Sequence, residues 1–340
     1  MDAPRHYCTY FDYRYLPRFL ALYASLREHG GAFCIWALCF DDMSYQKLLL
    51  MGLRDIRLIS HDEFIRNDGE LRAAQKNRSI VEYYFTCSPC LPLYVLNHDS
   101  SVEQITYLDA DLFFFNSPES VFDEIGGASI AIIPHRFPAA LRHLEENGIF
   151  NVGWITFRKD VEGNKCLQRW REQCLEWCYD RIEGKRFADQ GYLTDWPITY
   201  QNIAVITQKG ANLAPWNVSS YKLSLRGKQL WVDEDPLIFF HFQSLARVNA
   251  RTYKLNFTKY RARASKFIKT KIYAPYVRLI EESTRQVVGF SPNRLRNLED
   301  ALSIVPGFRN RPLAESLRDC WRLSKDLVRG DYMFSWEIES

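Results

Sequence analysis

The chain has 340 residues, of which 47% are hydrophobic and 15% aromatic, and its 44 basic and 41 acidic residues leave a formal net charge of +3. At about 150 residues per domain, this length corresponds to about two domains with material for a large core. The small net charge argues against bulk nucleic-acid binding. The nine cysteines are scattered along the sequence and do not form the pattern of a secreted disulfide scaffold. The first residues contain no apolar signal-peptide core. No window approaches the about 20 consecutive apolar residues that a membrane-spanning helix needs. These features predict a reduced, cytosolic globular protein.

Hydrophobic patterns predict strands that alternate with helices along most of the chain. Strands are predicted at 6–11, 33–40, 56–59, 105–108, 129–133, 152–157 and 204–207. Helices are predicted at 15–28, 45–51 and 165–182, with a further helix start at 116–119. Two prolines predict that 79–96 forms two helices separated by a break. The alternation predicts an α/β fold whose largely parallel sheet is covered by helices on both faces.

The composition changes towards the carboxyl end of the chain. Residues 236–280 contain no Asp or Glu, and 247–278 carry ten Lys or Arg residues interleaved with aromatic ones. This change predicts a domain boundary near 245, with one domain at 1–245 and a basic, mainly helical extension at 246–340.

Two aspartates, Asp109 and Asp111, directly follow the predicted strand 105–108. Side chains two residues apart on a strand share a face and lie about 6–7 Å from each other, so at the strand end they can converge on one cation. Ligands of open α/β sheets bind beyond the carboxyl ends of the strands. Mg²⁺ and Mn²⁺ prefer oxygen ligands and often complete their shell with substrate phosphates. The pattern therefore favours a site for a metal and a diphosphate; the alternative is one surface aspartate and one helix-capping aspartate.

Several stretches resemble motifs of a known enzyme family and occur in the family's order. The sequence YLDADLFFFNSPESVF (107–122) resembles the Asp-x-Asp region of nucleotide-sugar glycosyltransferases with the GT-A fold, especially glycosyltransferase family 8 and related nucleotide-diphospho-sugar transferases. PCLPLYVL (89–96) resembles the helix before the metal-binding strand, and FNVGWITFRKD (150–160) resembles the Asn-x-Gly strand beside the donor sugar. ADQGYL (188–193) resembles the Asp-Gln element, and FFHF (239–242) the late metal-binding histidine.

This resemblance covers about residues 5–245 and implies a GT-A fold with a Rossmann-like sheet. By the same resemblance, Asp109 would contact both the ribose and the metal, while Asp111 and His241 would bind the metal directly. The implied cofactor is Mn²⁺ or Mg²⁺, with the donor diphosphate completing its shell. Without the two aspartates upstream, His241 would be interpreted as a core histidine.

The resemblance also implies the residues that would handle the sugar. Asn151 and Asp189 would hydrogen-bond sugar hydroxyls and fix their orientation. Gln190 would lie near the anomeric carbon, as in retaining members of the family. An inverting enzyme would instead use a carboxylate base, for which Asp189 and Asp195 are candidates.

The end of the first strand is the expected site of the nucleotide. The stretch Thr9, Tyr10, Phe11 and Asp12 lies where such enzymes seat the base. Asp12 would accept a hydrogen bond from the base and Tyr10 or Phe11 would stack on it. A role of Asp12 in capping the following helix is an equal alternative.

The phosphate-binding residues are less well defined by the sequence. Family 8 enzymes usually follow the late histidine with a Gly and a Lys-Pro-Trp that holds the phosphates, whereas FQSLARVNAR follows His241 here. Arg247 and Arg251 are candidates for this role, and Arg78 is another, with an ordinary surface arginine as its alternative.

The expected function is metal-dependent transfer of a sugar from a nucleotide-diphosphate donor, a UDP-sugar, to a saccharide or lipid-linked acceptor, as in envelope polysaccharide synthesis. The basic stretch 247–278 predicts docking on an anionic membrane surface and hence a cytoplasmic protein peripheral to the inner face of the membrane. A solvated helical face is the alternative. No recognised RNA-binding module accompanies the charge, so nucleic acid is not an expected partner.

Several sequence features bear on alternative functions. Phosphatases of the haloacid-dehalogenase type require Thr or Val where Phe113 stands, and sugar nucleotidyltransferases require glycines near the first strand. A zinc or redox site at Cys87, Cys90, Cys174 and Cys178 is another alternative, although helical spacing favours packing for the last two. A sugar-nucleotide-binding protein without transfer activity is the remaining hypothesis.

Overall fold

A mixed seven-stranded sheet forms the centre of the computed structural model, which describes residues 3–249, 252–288, 326 and 329–334. The strands of the chain are β1 Arg5–Phe11, β2 Phe33–Cys39, β3 Ile56–Ser60, β4 Gln104–Leu108, β5 Leu112–Phe114, β6 Ile130–Pro134, β7 Phe150–Arg158, β8 Ile203–Val205, β9 Leu223–Arg226, β10 Gln229–Val232, β11 Asp235–Pro236, β12 Phe239–His241, β13 Ala246–Asn249, β14 Thr252–Lys254 and β15 Tyr332–Phe334. The large sheet has the order β3-β2-β1-β4-β7-β6-β8. Only β7 runs antiparallel to its neighbours, so β1, β4 and β6 end at the same edge.

Helices cover both faces of this sheet. They are α1 Leu16–His29, α2 Asp42–Met51, α3 His61–Ile65, α4 Gly69–Asn77, α5 Ile80–His98, α6 Glu119–Ile125, α7 Val161–Glu176, α8 Trp196–Thr199, α9 Lys266–Ile268 and α10 Ala274–Val288, with α9 and α10 joined by a π-helical stretch, Lys269–Tyr273. One buried cluster joins alternate strand residues such as Cys8 and Ile155 to α5 and α7. A second joins their neighbours Tyr7 and Trp154 to α1 and α6. This alternation between the two faces confirms the predicted α/β fold.

The helix α5 corrects one prediction. It runs without a break through Pro89 and Pro92, where the sequence analysis expected two helices. Ser79 and Glu82 form a reciprocal capping box at its start. Both prolines are buried, and α5 packs on β4 and α7. Burial of this apolar face therefore outweighs the hydrogen bonds that the prolines remove.

The helix α7 is also displaced from its predicted bounds of 165–182. It begins at Val161 because the Asp160 side chain accepts a hydrogen bond from the backbone N–H of Gly163 and caps the first turn (2.8 Å). It ends at Glu176, so Cys178 is buried just beyond the helix.

A short two-stranded ribbon, β5 with β12, stands beside the main sheet. The two strands are antiparallel, and their register places His241 opposite Leu112. Beyond the ribbon, the backbone N–H of Phe242 donates to the carbonyl oxygen of Asp111 (3.0 Å). This pairing joins two segments that are far apart in sequence.

The described part of the carboxyl-terminal extension packs directly on the part of the chain that precedes it. The ring of Phe242 stacks on that of Tyr276 in α10 with centroids 3.8 Å apart, and one hydrophobic cluster includes Ala21 of α1, Phe113 and Tyr276. The extension begins with strands β13 and β14, which pair with β15 in an antiparallel sheet. That sheet was not predicted for a mainly helical extension; 289–325 lie outside the described residues, and the boundary near 245 stays a prediction.

Within the described ranges, no helix combines the length and the apolar character that crossing a membrane requires.

Candidate metal centre and active site

The two aspartates lie in a tight connection between β4 and β5. The backbone N–H of Asp109 donates to the carbonyl of Gly153 on β7 (3.2 Å), and the N–H of Leu112 donates back to the carbonyl of Asp109 (3.2 Å). The buried residues Leu112 and Phe114 hold β5 against β12. The phenylalanines of the DADLFFF stretch therefore hold the ribbon that presents Asp111.

Asp109, Asp111 and His241 meet in space, as the family resemblance implies. Nε2 of His241 lies 3.1 Å from Oδ1 of Asp111 and 3.5 Å from Oδ2 of Asp109. One ligand atom from each of the three residues lies within 4.8 Å of the other two. Within the part of the chain that the structure describes, this is the one group of three or more such side chains that can hold a metal ion. Two carboxylate oxygens and one imidazole nitrogen fit Mn²⁺ or Mg²⁺ with positions left for substrate oxygens.

A chain of hydrogen bonds behind His241 sets the orientation of its ring. Nδ1 of His135 lies 3.2 Å from the carbonyl oxygen of Ile149, so Nδ1 carries the proton and Nε2 accepts the Asn151 amide at 3.3 Å. Oδ1 of Asn151 then accepts from the Gly153 N–H (3.1 Å) and from Nδ1–H of His241 (3.2 Å). This order of donors leaves the Nε2 lone pair of His241 directed at the two carboxylates.

Gly153 provides the space for this arrangement. A Cβ atom at position 153 would stand 2.6 Å from Oδ1 of Asn151 and 3.0 Å from Nδ1 of His241. These separations are far below van der Waals contact, so the glycine of the Asn-x-Gly motif is required by the packing of Asn151 and His241.

The charges of these three side chains depend strongly on one another. Burial lowers the pKa of His241, but Asp111 and Asp109 outweigh burial and raise this pKa above its ordinary value. Burial raises the pKa of Asp109 to about 6, and the neighbouring Asp111 adds to this rise. The pKa of Asp111 is lowered, because His241 and Arg18 outweigh the effect of burial. A divalent cation would replace the His241 proton as the partner of the carboxylates.

A second polar group lies behind Asp109. The hydroxyl of Tyr107 donates to Oδ1 of Asp109 (3.0 Å), and the hydroxyl of Tyr10 lies 3.0 Å from Oγ of Ser88. Asp189 is buried beside Ser88, and burial raises the pKa of Asp189 to about 7. The carboxyl group of Asp189 therefore titrates near neutral pH within a polar wall next to the metal centre.

The side chain of Gln190 has a hydrogen-bond partner of its own. Its side-chain amide donates to the carbonyl of Asn147 (2.8 Å), and its backbone lies against Gly148. Asp195 is mainly exposed and faces Lys185 at 3.7 Å.

The residues expected near the base have different environments. Phe11 is buried and its ring stacks on Phe19 at 4.2 Å, so Phe11 belongs to the core. Thr9 is buried in β1. Tyr10 packs among aromatic rings that include Tyr84, 6.1 Å away. The hydroxyl of Tyr84 also donates to Asp12 (3.3 Å).

Asp12 itself closes the turn between β1 and α1. Its Oδ1 accepts hydrogen bonds from the backbone N–H groups of Arg14 (3.0 Å) and Tyr15 (3.2 Å). The N-cap of α1 is Tyr15, without a side-chain cap hydrogen bond, so Asp12 closes the preceding turn and does not cap the helix as the alternative predicted. A contact of Asp12 with a base stays a prediction.

Arg78 has a structural role that the sequence did not indicate. Its guanidinium donates to the carbonyls of Cys174 (2.7 Å) and Leu175 (2.5 Å) near the end of α7, and to Thr86 of α5. These bonds satisfy helix-terminal carbonyls, so we do not include Arg78 in the proposed site. Arg247 lies on β13 opposite Tyr253, and Arg251 is outside the described residues.

Two residues near the centre, His135 and Arg18, were not found by sequence reasoning. His135 directly follows β6, which ends at the same edge as β4. The signal that its sequence offers is its position, because His135, like Asp109, is a polar residue that directly follows a strand. Arg18 lies inside a helix, where only the tertiary contacts of α1 bring it to the site.

The cysteines considered as zinc ligands are packing residues here. Cys87, Cys90, Cys174 and Cys178 are free and buried. Burial raises the pKa of the first three thiols, which keeps them protonated at neutral pH.

Comparison with known proteins bears on the family and the fold of this chain. The chain is 30% identical over 275 residues to YfnD of Bacillus subtilis (strain 168), covering 80% of this chain and 87% of YfnD. It is 30% identical over 256 residues to YfnF of the same organism, covering 73% of this chain and 84% of YfnF. Both relatives are named as uncharacterized proteins, and no family model matches the chain.

Among solved structures, the galactosyltransferase LgtC in complex with donor and acceptor sugar analogs superimposes with a TM-score of 0.52 at 14% identity. The match covers 86% of this chain and 99% of LgtC, and at this identity it bears on the fold alone. This match agrees with the sheet order and with the Asp-x-Asp connection between β4 and β5 in indicating a GT-A fold. The predicted fold is therefore confirmed. The chain therefore belongs to the family of YfnD and YfnF, and its fold is the GT-A fold of nucleotide-sugar glycosyltransferases.

Proposed function

We propose that this protein is a metal-dependent glycosyltransferase that moves a sugar from a nucleoside-diphosphate donor, a UDP-sugar, to a saccharide or lipid-linked acceptor. The observation that carries the proposal is the convergence of Asp109, Asp111 and His241 beyond the end of β4. This arrangement joins three metal ligands of suitable chemistry at the edge where open α/β sheets bind their ligands.

The proposed roles follow from the site. Asp109, Asp111 and His241 hold Mn²⁺ or Mg²⁺, which neutralises the charge that develops on the departing diphosphate. Asp189 and Gln190 are the proposed catalytic pair. Asp189, with a pKa raised to about 7 by burial, is suited to exchange a proton or a hydrogen bond with a sugar hydroxyl.

We place the nucleotide at the carboxyl end of β1, between Tyr10 and the turn closed by Asp12. Tyr10 and Tyr84 present aromatic surface there, and the Asp12 carboxylate lies within hydrogen-bonding distance of Tyr84. The sugar then extends towards Asn151 and Asp189.

A membrane-facing role is proposed for the basic part of the extension. Six basic residues of this segment are exposed, while Ala262 and Ala264 between the second and fourth of them are buried; the six are Lys259, Arg261, Arg263, Lys266, Lys271 and Arg278. Because 236–280 contain no acidic residue, this surface suits anionic lipid headgroups. Such docking would bring a cytoplasmic enzyme to a lipid-linked acceptor at the inner face of the membrane. Sedimentation with anionic but not neutral vesicles, reversed by salt, tests it; equal recovery in both supernatants would contradict it.

Thermal-shift measurements with nucleoside diphosphates, with and without Mn²⁺, test the main proposal. A ligand present at 100 times its Kd stabilises the folded state by about 2.7 kcal/mol. We expect metal-dependent stabilisation by UDP in the wild type and its loss in Asp111→Asn. Asp62→Asn, which removes an exposed carboxylate from α3, is the matched control and should behave as the wild type.

Turnover separates a transferase from a protein that only binds the donor. Metal-dependent release of UDP from a UDP-sugar supports the enzyme. Stabilisation by UDP without turnover of any nucleotide sugar would favour the binding protein, and absence of any metal-dependent nucleotide shift would refute the site.

A further inference from the structure

A guanidinium group without a carboxylate partner lies next to the metal centre. Arg18, in the first turn of α1, is partly buried, and its Nη2 donates to the carbonyl of Leu245 (2.7 Å). Its Cζ lies 4.3 Å from the centroid of the Tyr15 ring. Among the residues that the structure describes, no ion pair of Arg18 with a carboxylate is seen.

The contacts of Arg18 tie it to the metal-binding segment. Leu245 lies four residues after His241 in the sequence. The Leu245 N–H donates to the carbonyl of Phe242 (3.1 Å). The Phe242 N–H in turn donates to the carbonyl of Asp111 (3.0 Å). The positive charge of Arg18 is also close enough to favour the ionised form of Asp111. The guanidinium therefore contacts the segment that follows His241, on the α1 side, and its charge reaches Asp111.

The charges of the proposed site require a further cation. Two ionised carboxylates, Asp109 and Asp111, neutralise a divalent ion, so the negative charges of a bound diphosphate remain uncompensated. Burying such charges without a partner is costly. A guanidinium presents its donors in a planar fork that matches phosphate oxygens, and it keeps its charge at any physiological pH.

We propose that Arg18 binds the diphosphate of the donor and supplies the positive charge that the metal centre lacks; the inference rests on the proposed function. The hydrogen bond to Leu245 uses one N–H group of the guanidinium, so its other N–H groups can donate to phosphate oxygens. The contact with the Tyr15 ring holds the guanidinium in place.

A purely structural role, in which Arg18 only pins the 242–245 segment to α1, makes a different prediction. Loss of a structural pin would disturb His241 and weaken binding of the metal itself. Loss of a phosphate-binding cation would weaken binding of the diphosphate only. Because Arg18 repels a cation at Asp111, its removal should leave the affinity for the metal alone equal or higher.

Calorimetric titration of the full chain distinguishes these cases with three probes: Mn²⁺ alone, inorganic pyrophosphate in saturating Mn²⁺, and UDP in saturating Mn²⁺. For Arg18→Gln we expect affinities for pyrophosphate and UDP to fall by about 10- to 100-fold, with Mn²⁺ affinity unchanged or higher. Arg18→Lys keeps the positive charge but loses the planar guanidinium. Its affinities for pyrophosphate and UDP should therefore lie between those of Arg18→Gln and the wild type. Arg27→Gln, which removes a positive charge near the other end of α1, should match the wild type.

The possible results separate this inference from the proposed function. Tight binding of UDP by the wild type, with Arg18→Gln within twofold of it, would overturn the role of Arg18 and leave the proposed function standing. A parallel loss of Mn²⁺ and pyrophosphate affinity would identify a structural pin and also overturn it. A wild type that binds Mn²⁺ but neither phosphate ligand would refute both. If Arg18→Gln does not fold, the same comparisons are made with Arg18→Lys.

Discussion

Replacing Asn151 by alanine removes the group that connects His241 to His135. In the structure, the Asn151 amide makes contacts of 3.1, 3.2 and 3.3 Å with Gly153, His241 and His135. Its loss leaves Nδ1–H of His241 without an acceptor and frees the ring to rotate or to change tautomer. The tautomer protonated at Nε2 cannot bind a metal at that nitrogen.

The expected magnitudes follow from these three bonds. At about 0.5–1.5 kcal/mol for each of the three hydrogen bonds, Asn151→Ala should lower the free energy of unfolding by about 1.5–4.5 kcal/mol. Loss of a group that orients a metal-binding histidine typically lowers metal affinity about 10- to 100-fold. That corresponds to about 1.4–2.8 kcal/mol of binding free energy.

Calorimetric titration with Mn²⁺ and chemical unfolding, performed on the same variants, measure the two effects separately. Thr156→Val is the matched control, because Thr156 is a buried residue of the same strand that bonds Thr106 (2.9 Å) and does not contact His241. This control should lose stability but keep its Mn²⁺ affinity.

Asn151→Asp retains an acceptor for His241, so it should bind Mn²⁺ within about threefold of the wild type. It also places a carboxylate oxygen against the His135 ring, whose pKa burial lowers to about 4, and should therefore be less stable. Equal Mn²⁺ affinity of Asn151→Ala and the wild type would refute the orienting role.

Three further predictions concern the same region. Mn²⁺ affinity should fall as the pH drops from 7.5 to 5.5, by about tenfold per pH unit for each proton displaced, because the pKa of Asp109 is raised to about 6 and that of His241 is also raised; a flat profile measured by calorimetry would contradict it. Gly153→Ala should lower Mn²⁺ affinity by at least tenfold, since its Cβ would stand 2.6 Å from Asn151, and wild-type binding by a folded variant would show that the site relaxes freely. Arg78→Ala should lower the unfolding free energy by about 1–3 kcal/mol through the carbonyls it leaves at the end of α7, without changing Mn²⁺ affinity; a selective loss of UDP binding would restore Arg78 as a phosphate ligand.

The local sequence was sufficient to place the strand before Asp109 and to predict that its two carboxylates lie at a sheet edge. An apolar run that ends in two acids has few stable arrangements, because burying unpaired carboxylates is costly. The same reasoning was wrong for α5, where two prolines predicted a break. The loss of hydrogen bonds at Pro89 and Pro92 is a local effect, whereas the burial that compensates for it comes from elements distant in sequence.

What the sequence by itself determined is most of the alternation of strands and helices and the position of Asp109 and Asp111 at a strand end, because both depend on residue type and short-range spacing; His241 was implied by the family resemblance. Only the tertiary structure decided which side chains surround them. The antiparallel register of β5 and β12 brings His241 to Asp111, the end of β6 supplies His135 behind Asn151, and the fold of α1 brings Arg18 to the same edge. These contacts join residues that are far apart in the chain, and strand pairing and helix packing, rather than any local pattern, fix the distances between them.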